Sequence, residues 1–204
     1  MQFHPDNLYH VYNQGNNRQQ TFFQRSEYLT FMNLYKKLIF PHCNTLAWCL
    51  MPNHFHFMIH TDNRCVDKIK QGGIFIDSIT NGFRKLLSGY ARIFNNNNQR
   101  TGSLFRQKTK AKCLSDIPLK QGSVHSVRDY FVNCFHYIHQ NPLVAGLVTK
   151  LEDWEFSSYP DYANIRTGTL CQKELATLYC NYDPVSFSAD SLAMVDKKIS
   201  TLLV

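Results

Sequence analysis

The chain has 204 residues, 44% of them apolar, 14% aromatic and only 18% charged, which excludes a disordered tract or a coiled coil and suits one globular domain with room for an appendage. Lys and Arg outnumber Asp and Glu by 22 to 15, a net charge of +7 that leans toward an anionic partner without naming one. No apolar run approaches the length of a membrane span, no signal-peptide core follows the first residues, and seven scattered cysteines contain no Cys-x-x-Cys pair, so the expectations are no membrane, no zinc ribbon and a reducing, cytoplasmic setting.

In chain order, residues 8–12 read as a short strand rich in Tyr and Val, broken by the turn residues of Asn13-Gln-Gly-Asn-Asn17. Ser26 is the expected N-cap of a helix reaching about Phe40. Leu29, Met32, Leu34, Tyr35 and Leu38 keep helical spacing there, and Pro41 stops it. Residues 45–50 form a compact apolar strand, Met51-Pro-Asn53 turns the chain, and residues 55–59 form a second strand. A long helical pattern covers 74–94 and ends in the polar loop Asn95-Asn-Asn-Asn98. Residues 106–113 read as a strand, 127–139 as a helix stopped by Asn141-Pro142, and 172–179 as a short helix. This order predicts an α+β fold, a ferredoxin-like sandwich: an antiparallel sheet with helices on one face plus an extra helix bearing Tyr137. The tight turn between the two middle strands forbids their being parallel neighbours.

The charge is unevenly placed. Residues 1–150 hold 18 basic and 7 acidic side chains, residues 151–204 hold 4 and 8, and the stretch from Arg64 to Lys112 alone carries +9. That asymmetry fits a polyanion-binding body followed by a tail that does not bind polyanions; uneven surface solvation gives the same numbers.

Three constellations carry chemistry. His54 and His56 are i and i+2 on a strand, so they share a face while Phe55, Phe57 and Ile59 turn to the core. Two imidazoles on a rigid strand make half of a divalent-metal site, although such a pair alone often binds nothing. Arg106, Lys108, Lys110 and Lys112 alternate with Gln107, Thr109, Ala111 and Cys113, so a strand would set them in one row about 6.6 Å apart, near the phosphate spacing of a nucleic-acid strand. Lysines that guard an edge strand are the plain alternative, but four cations in eight residues with no acid exceed that need. Tyr137 and Asn141 are i and i+4 on one helix face, which pairs a phenol with an amide. A core tyrosine and a helix-ending asparagine would look alike, and Tyr130 on the same face is a rival nucleophile.

Tyr9-His-Val-Tyr-Asn-Gln-Gly-Asn-Asn-Arg18, Leu50-Met-Pro-Asn-His-Phe-His56, Arg100-Thr-Gly-Ser-Leu-Phe105, Tyr137-Ile-His-Gln-Asn-Pro142 with Ala145-Gly146, and Trp154 with Ser157-Ser-Tyr159 together resemble the successive blocks of one family. It is the REP-associated tyrosine transposases, within the single-tyrosine transposases that carry a His-hydrophobic-His motif. The blocks span about residues 8–162 in the family's order. The resemblance implies a catalytic domain over residues 1–162 that cuts single-stranded DNA beside a hairpin, followed by a C-terminal helical extension of unknown role over 163–204. It implies that His54 and His56 bind Mg²⁺ or Mn²⁺ with help from Asn141, and that Tyr137 is the nucleophile, leaving a 5′-phosphotyrosine and a free 3′-hydroxyl. Relatives include dimers that exchange the tyrosine helix, so a homodimer is a further expectation.

Arg106, Lys108, Lys110 and Lys112, with Arg84, Lys85 and Arg92 on the preceding helix and Asn17 and Arg18 after the first strand, are the expected DNA-binding residues. The stretch 115–126 is longer and more polar than the family leads one to expect. The acidic excess beyond Ala163 fits a tail that packs on the basic body or shields its DNA groove, or one with no regulatory role. Three other functions remain open on the residues alone. A non-catalytic hairpin-DNA binder would not need His54, His56 and Tyr137. A metal-dependent hydrolase would cleave without a covalent intermediate. An RNA-binding sheet would want aromatics where His54 and His56 lie.

Overall fold

The computed structural model describes residues 1–116 and 126–193. Its elements are β1 (Leu8–Gln14), α1 (Arg25–Leu38), β2 (Asn44–Met51), β3 (His54–His60), β4 (Lys68–Gln71), β5 (Ile74–Asp77), α2 (Ser78–Asn97), β6 (Lys110–Cys113), α3 (Val127–Val144), α4 (Tyr159–Tyr162), α5 (Lys173–Cys180) and α6 (Phe187–Asp190). The main sheet runs β2-β3-β1-β6 and is antiparallel throughout. With α1 between β1 and β2 and α2 between β3 and β6, this is the β-α-β-β-α-β ferredoxin-like arrangement, an α+β fold as expected. Among the described residues no helix is long and apolar enough to cross a membrane.

Period-two alternation sorts the sheet into two faces. Tyr9 and Val11 of β1 and Phe55, Phe57 and Ile59 of β3 join Phe31 and Tyr35 of α1 and Phe83 and Tyr90 of α2 in one buried cluster. Tyr35 stacks on Phe57 with ring centroids 4.1 Å apart. On the other face, Leu46 and Met58 meet Phe131, Cys134, Phe135 and Ile138 of α3. The extra helix therefore covers the face that α1 and α2 leave open and makes the sandwich three layers deep. Gly82 lets α2 approach α1: a Cβ there would lie 2.3 Å from the Leu38 carbonyl oxygen.

Several boundaries differ from the sequence reading, each for a local reason. Helix α1 starts one residue before Ser26, with Gln24 as its N-cap and Glu27 closing a capping box back onto it. Residues 74–77, read as the first turn of the long helix, are instead β5, paired with β4. Gly72 and Gly73 both have positive φ (58° and 83°) and form the tight turn between those strands. At its other end α2 runs on through Asn97, and the Asn98 side chain donates to the Phe94 carbonyl and to Glu27. Strand β6 is only four residues long. Before it, one backbone bond remains, from the Arg106 N–H to the Gln14 carbonyl (2.8 Å), while the Asn13 amide donates to the Arg106 carbonyl (3.1 Å) and Thr109 Oγ1 (2.9 Å), and residues 106–109 form a loop. Helix α3 does not stop at Asn141-Pro142: it carries Pro142 inside and continues to Val144. Pro142 is buried, and the helix tolerates the one backbone hydrogen bond it cannot make.

The segment beyond Ala163 packs behind α3. Tyr162, Cys180, Tyr182 and Phe187 join the α3 cluster, Arg128 donates to the Leu178 carbonyl, and Gln140 donates to the carbonyls of Ser191 and Ala193, both at 2.7 Å. Most of the long polar stretch at 115–126, and the end of the tail from 194 on, lie outside the described residues.

Candidate functional site

The same alternation that buries Phe55 and Phe57 against α1 turns His54 and His56 toward α3. Their rings stand edge to face with centroids 4.9 Å apart. Across the strand pair, Tyr12 of β1 lies opposite His56. From α3, Tyr137 brings its ring edge-to-face onto His56 at 5.6 Å. Because α3 is not interrupted at Pro142, Asn141 sits one turn beyond Tyr137 on a continuous helix and donates from its amide to the Tyr137 carbonyl at 2.7 Å. The Asn141 amide acts electrostatically on both His54 and the Tyr137 phenol.

Tyr12, Asn13, Gln14, His54, His56, Arg106, Lys108, Lys110 and Tyr137 line a single cleft of about 310 Å³. Three cations of the predicted row therefore share one cavity with His54, His56 and Tyr137, whereas Lys112 and Asn141 are not among its lining residues. Lys110 and Lys112 retain strand alternation, opposite Tyr12 and His10, whereas Arg106 and Lys108 reach the cleft from the loop. A second, larger groove of about 720 Å³ runs along the other side of this loop, where Arg84 of α2 faces Arg106, Lys108 and Lys110. The same three cations thus form a ridge between two grooves. Lys85 and Arg92 are exposed on α2 and line neither groove. Asn17 and Arg18 are exposed in a 3-10 turn after β1, and the Arg18 carbonyl accepts from Asn53, the neighbour of His54. Tyr130 is buried in the α3 core and does not line the cleft.

Burial decides the protonation states. It pushes the His56 pKa well below the ordinary imidazole value, with His10 and His54 adding to the effect, and lowers that of His54, which Asn141 partly offsets. Both rings are therefore neutral near pH 7, the form that ligates metals. Burial raises the pKa of Tyr137, Cys134 adds to this, and Asn141 works against it. Lys112 is half-buried, and burial lowers its pKa.

Two residues in this site carried no role in the sequence reading. His10 is fully buried on β1 with its Nε2 at 2.8 Å from His56 Nδ1. Tyr12 stacks on His10 with centroids 4.8 Å apart. The available signal was the alternation His10-Val11-Tyr12, which sets both on the same face as the histidine pair once β1 is known to neighbour β3.

The donors fit a divalent metal in part. His56 Nε2 is a buried nitrogen with no hydrogen-bond partner, and His54 is beside it. Among the described residues no group of three His, Cys, Asp or Glu side chains could hold a metal ion, so further donors would have to be the Asn141 amide and oxygens of the substrate or solvent.

No protein-family profile matches the chain, and no curated protein matches it in sequence. Among solved structures it resembles a REP-associated tyrosine transposase bound to a REP hairpin, with a TM-score of 0.52 over 84% of this chain and 92% of that one, at 12% identity. At that identity the likeness establishes a shared fold.

Proposed function

We propose that the chain is a DNA strand transferase of the transposase kind, which binds hairpin DNA and cuts its single-stranded flank through a 5′-phosphotyrosine on Tyr137. The observation that carries this reading is the convergence of Tyr137, His54, His56 and three cations in one cleft. The hairpin bound by the structural neighbour supports the choice of DNA.

Arg106, Lys108 and Lys110 hold the phosphate backbone along the ridge, with Arg84 across the second groove. Asn17, Arg18, Lys85, Arg92 and Lys112 extend the basic surface. His54 and His56, with the Asn141 amide, would hold Mg²⁺ or Mn²⁺, which when bound polarises the scissile phosphate and offsets its charge. The Tyr137 oxygen attacks phosphorus. A P–O bond to tyrosine forms as the P–O3′ bond breaks, the phenol proton passes to solvent, and the departing 3′ oxygen takes one up. A phenol is protonated at pH 7 and burial raises its pKa further, so attack requires that this proton be lost. The phosphotyrosine conserves the ester linkage, so a 3′-hydroxyl elsewhere can reclaim the strand. One chain supplies all of these groups, so the reading needs no second copy.

The test is a labelled DNA hairpin with a single-stranded flank, incubated with the protein and Mn²⁺ and run on a denaturing gel. Label migrating with the protein, and absent for Tyr137→Phe, is the expected result. Cleavage without protein-linked label would mean a hydrolase, and binding without cleavage would mean a hairpin-binding protein.

A further inference from the structure

We propose that His10 is a positioning residue that sets the tautomer of His56 and so aims its Nε2 lone pair at the metal. This rests on the reading of His54 and His56 as the metal pair. The two rings lie nearly parallel, centroids 5.0 Å apart and 18° between planes, with His10 Nε2 at 2.8 Å from His56 Nδ1. One of these nitrogens carries a proton and the other accepts it. If His10 donated, His56 would carry its own proton on Nε2, a buried nitrogen that has no acceptor. If His10 accepts, His56 Nε2 is a bare lone pair, the one form a cation satisfies.

His54 shows the same design through a different partner. Asn53 Oδ1 lies 2.6 Å from His54 Nδ1, and the Asn53 Nδ2 is engaged by the Arg18 carbonyl at 3.3 Å. An amide oxygen only accepts, so His54 Nδ1 carries the hydrogen and its Nε2 is bare. Both members of the pair thus spend Nδ1 on a neighbour and keep Nε2 for a ligand, the usual arrangement behind metal-binding histidines. At His56 the neighbour is another imidazole, fully buried and pinned on its own strand by stacking with Tyr12.

The experiment uses Mn²⁺ alone, titrated into the DNA-free protein by calorimetry, together with long-range ¹H–¹⁵N spectra of histidine-labelled metal-free protein. His56 is expected as the Nδ1–H tautomer. His10→Phe, which fills the space but cannot accept, should weaken Mn²⁺ binding roughly 10- to 100-fold, and His10→Gln, whose amide oxygen can accept, should recover most of it. His10→Phe binding Mn²⁺ like the wild type overturns the role of His10 while the metal reading stands. Wild-type protein that binds no Mn²⁺, or His56→Ala that binds it unchanged, overturns both. Should His10→Phe not fold, the wild-type spectrum decides: an Nε2–H tautomer at His56 overturns the proposal.

Discussion

The Tyr137 ring meets the His56 ring edge to face, with centroids 5.6 Å apart and planes at 83°. That contact belongs to the ring and not to the hydroxyl. Tyr137→Phe should therefore keep the packing, change stability by less than about 1 kcal/mol, and bind hairpin DNA as the wild type does, while forming no covalent adduct. Gel shift and denaturing gel together check it; an adduct that survived would move the nucleophile elsewhere.

Arg106, Lys108 and Lys110 border both grooves. Each cation that neutralises one phosphate of a single strand contributes about 0.7 to the slope of log affinity against log salt. Replacing any of the three by Ala should lower that slope by about 0.7. An equal fall for Lys85→Ala or Arg92→Ala would put the backbone on the outer face of α2.

Ser158 joins three elements. Its hydroxyl lies 2.8 Å from His139 Nε2, bonds the Trp48 carbonyl at 3.2 Å and accepts the Trp48 N–H at 2.9 Å. Ser158→Ala leaves a buried backbone N–H and a buried imidazole without partners and should cost about 2–3 kcal/mol in urea denaturation. Because these bonds tie α3 to β2, adduct formation should fall with stability.

His139 itself is fully buried, and burial, reinforced by His136, holds its pKa well below the ordinary value. In the unfolded chain it titrates near 6.5. Above that pH both states are neutral and nothing is lost. As pH falls below about 6.5 the unfolded state takes up a proton that the folded state refuses, so stability drops by about 1.4 kcal/mol per pH unit. Chemical denaturation from pH 7 to 5 should show a slope to which His56 and His54 also contribute, and His139→Gln should make it shallower by about this amount.

Gly82 and Gly89 lie two turns apart on α2 but differ in surroundings. A Cβ at Gly82 would meet the Leu38 carbonyl oxygen at 2.3 Å, while at Gly89 nothing lies within 4 Å. Gly82→Ala should destabilise by about 2–3 kcal/mol through overpacking, and Gly89→Ala should stabilise by about 0.5–1 kcal/mol through helix propensity. Thermal melts of the two variants check both signs.

Whatever depended on local period was legible in the sequence. The alternation that sends Phe55 and Phe57 one way and His54 and His56 the other needs only the geometry of a strand, and Tyr137 with Asn141 needs only that of a helix. What depended on pairing was not. His10 and His56 are 46 positions apart, and only the β1–β3 register brings them together. Ile74, Phe75 and Ile76 fit the first turn of a helix as well as a strand, and pairing with residues 68–71 decided it. The loop at 106–109 escaped because a side chain, Asn13, takes the Arg106 carbonyl that a neighbouring strand would have bonded. Pro142 misled in the opposite direction, since a single missing N–H does not end a helix whose proline ring is itself buried.

The Gln140 bonds to Ser191 and Ala193 give the site an order of assembly. Both histidines belong to a sheet whose strands end at Cys113, whereas the helix that carries the phenol is fastened by carbonyls more than fifty positions downstream of it. A chain emerging from the ribosome can complete its sheet while the tyrosine helix still lacks its clasp. On the proposed reading, the group that attacks DNA would then be fixed in place last, after the residues that bind it.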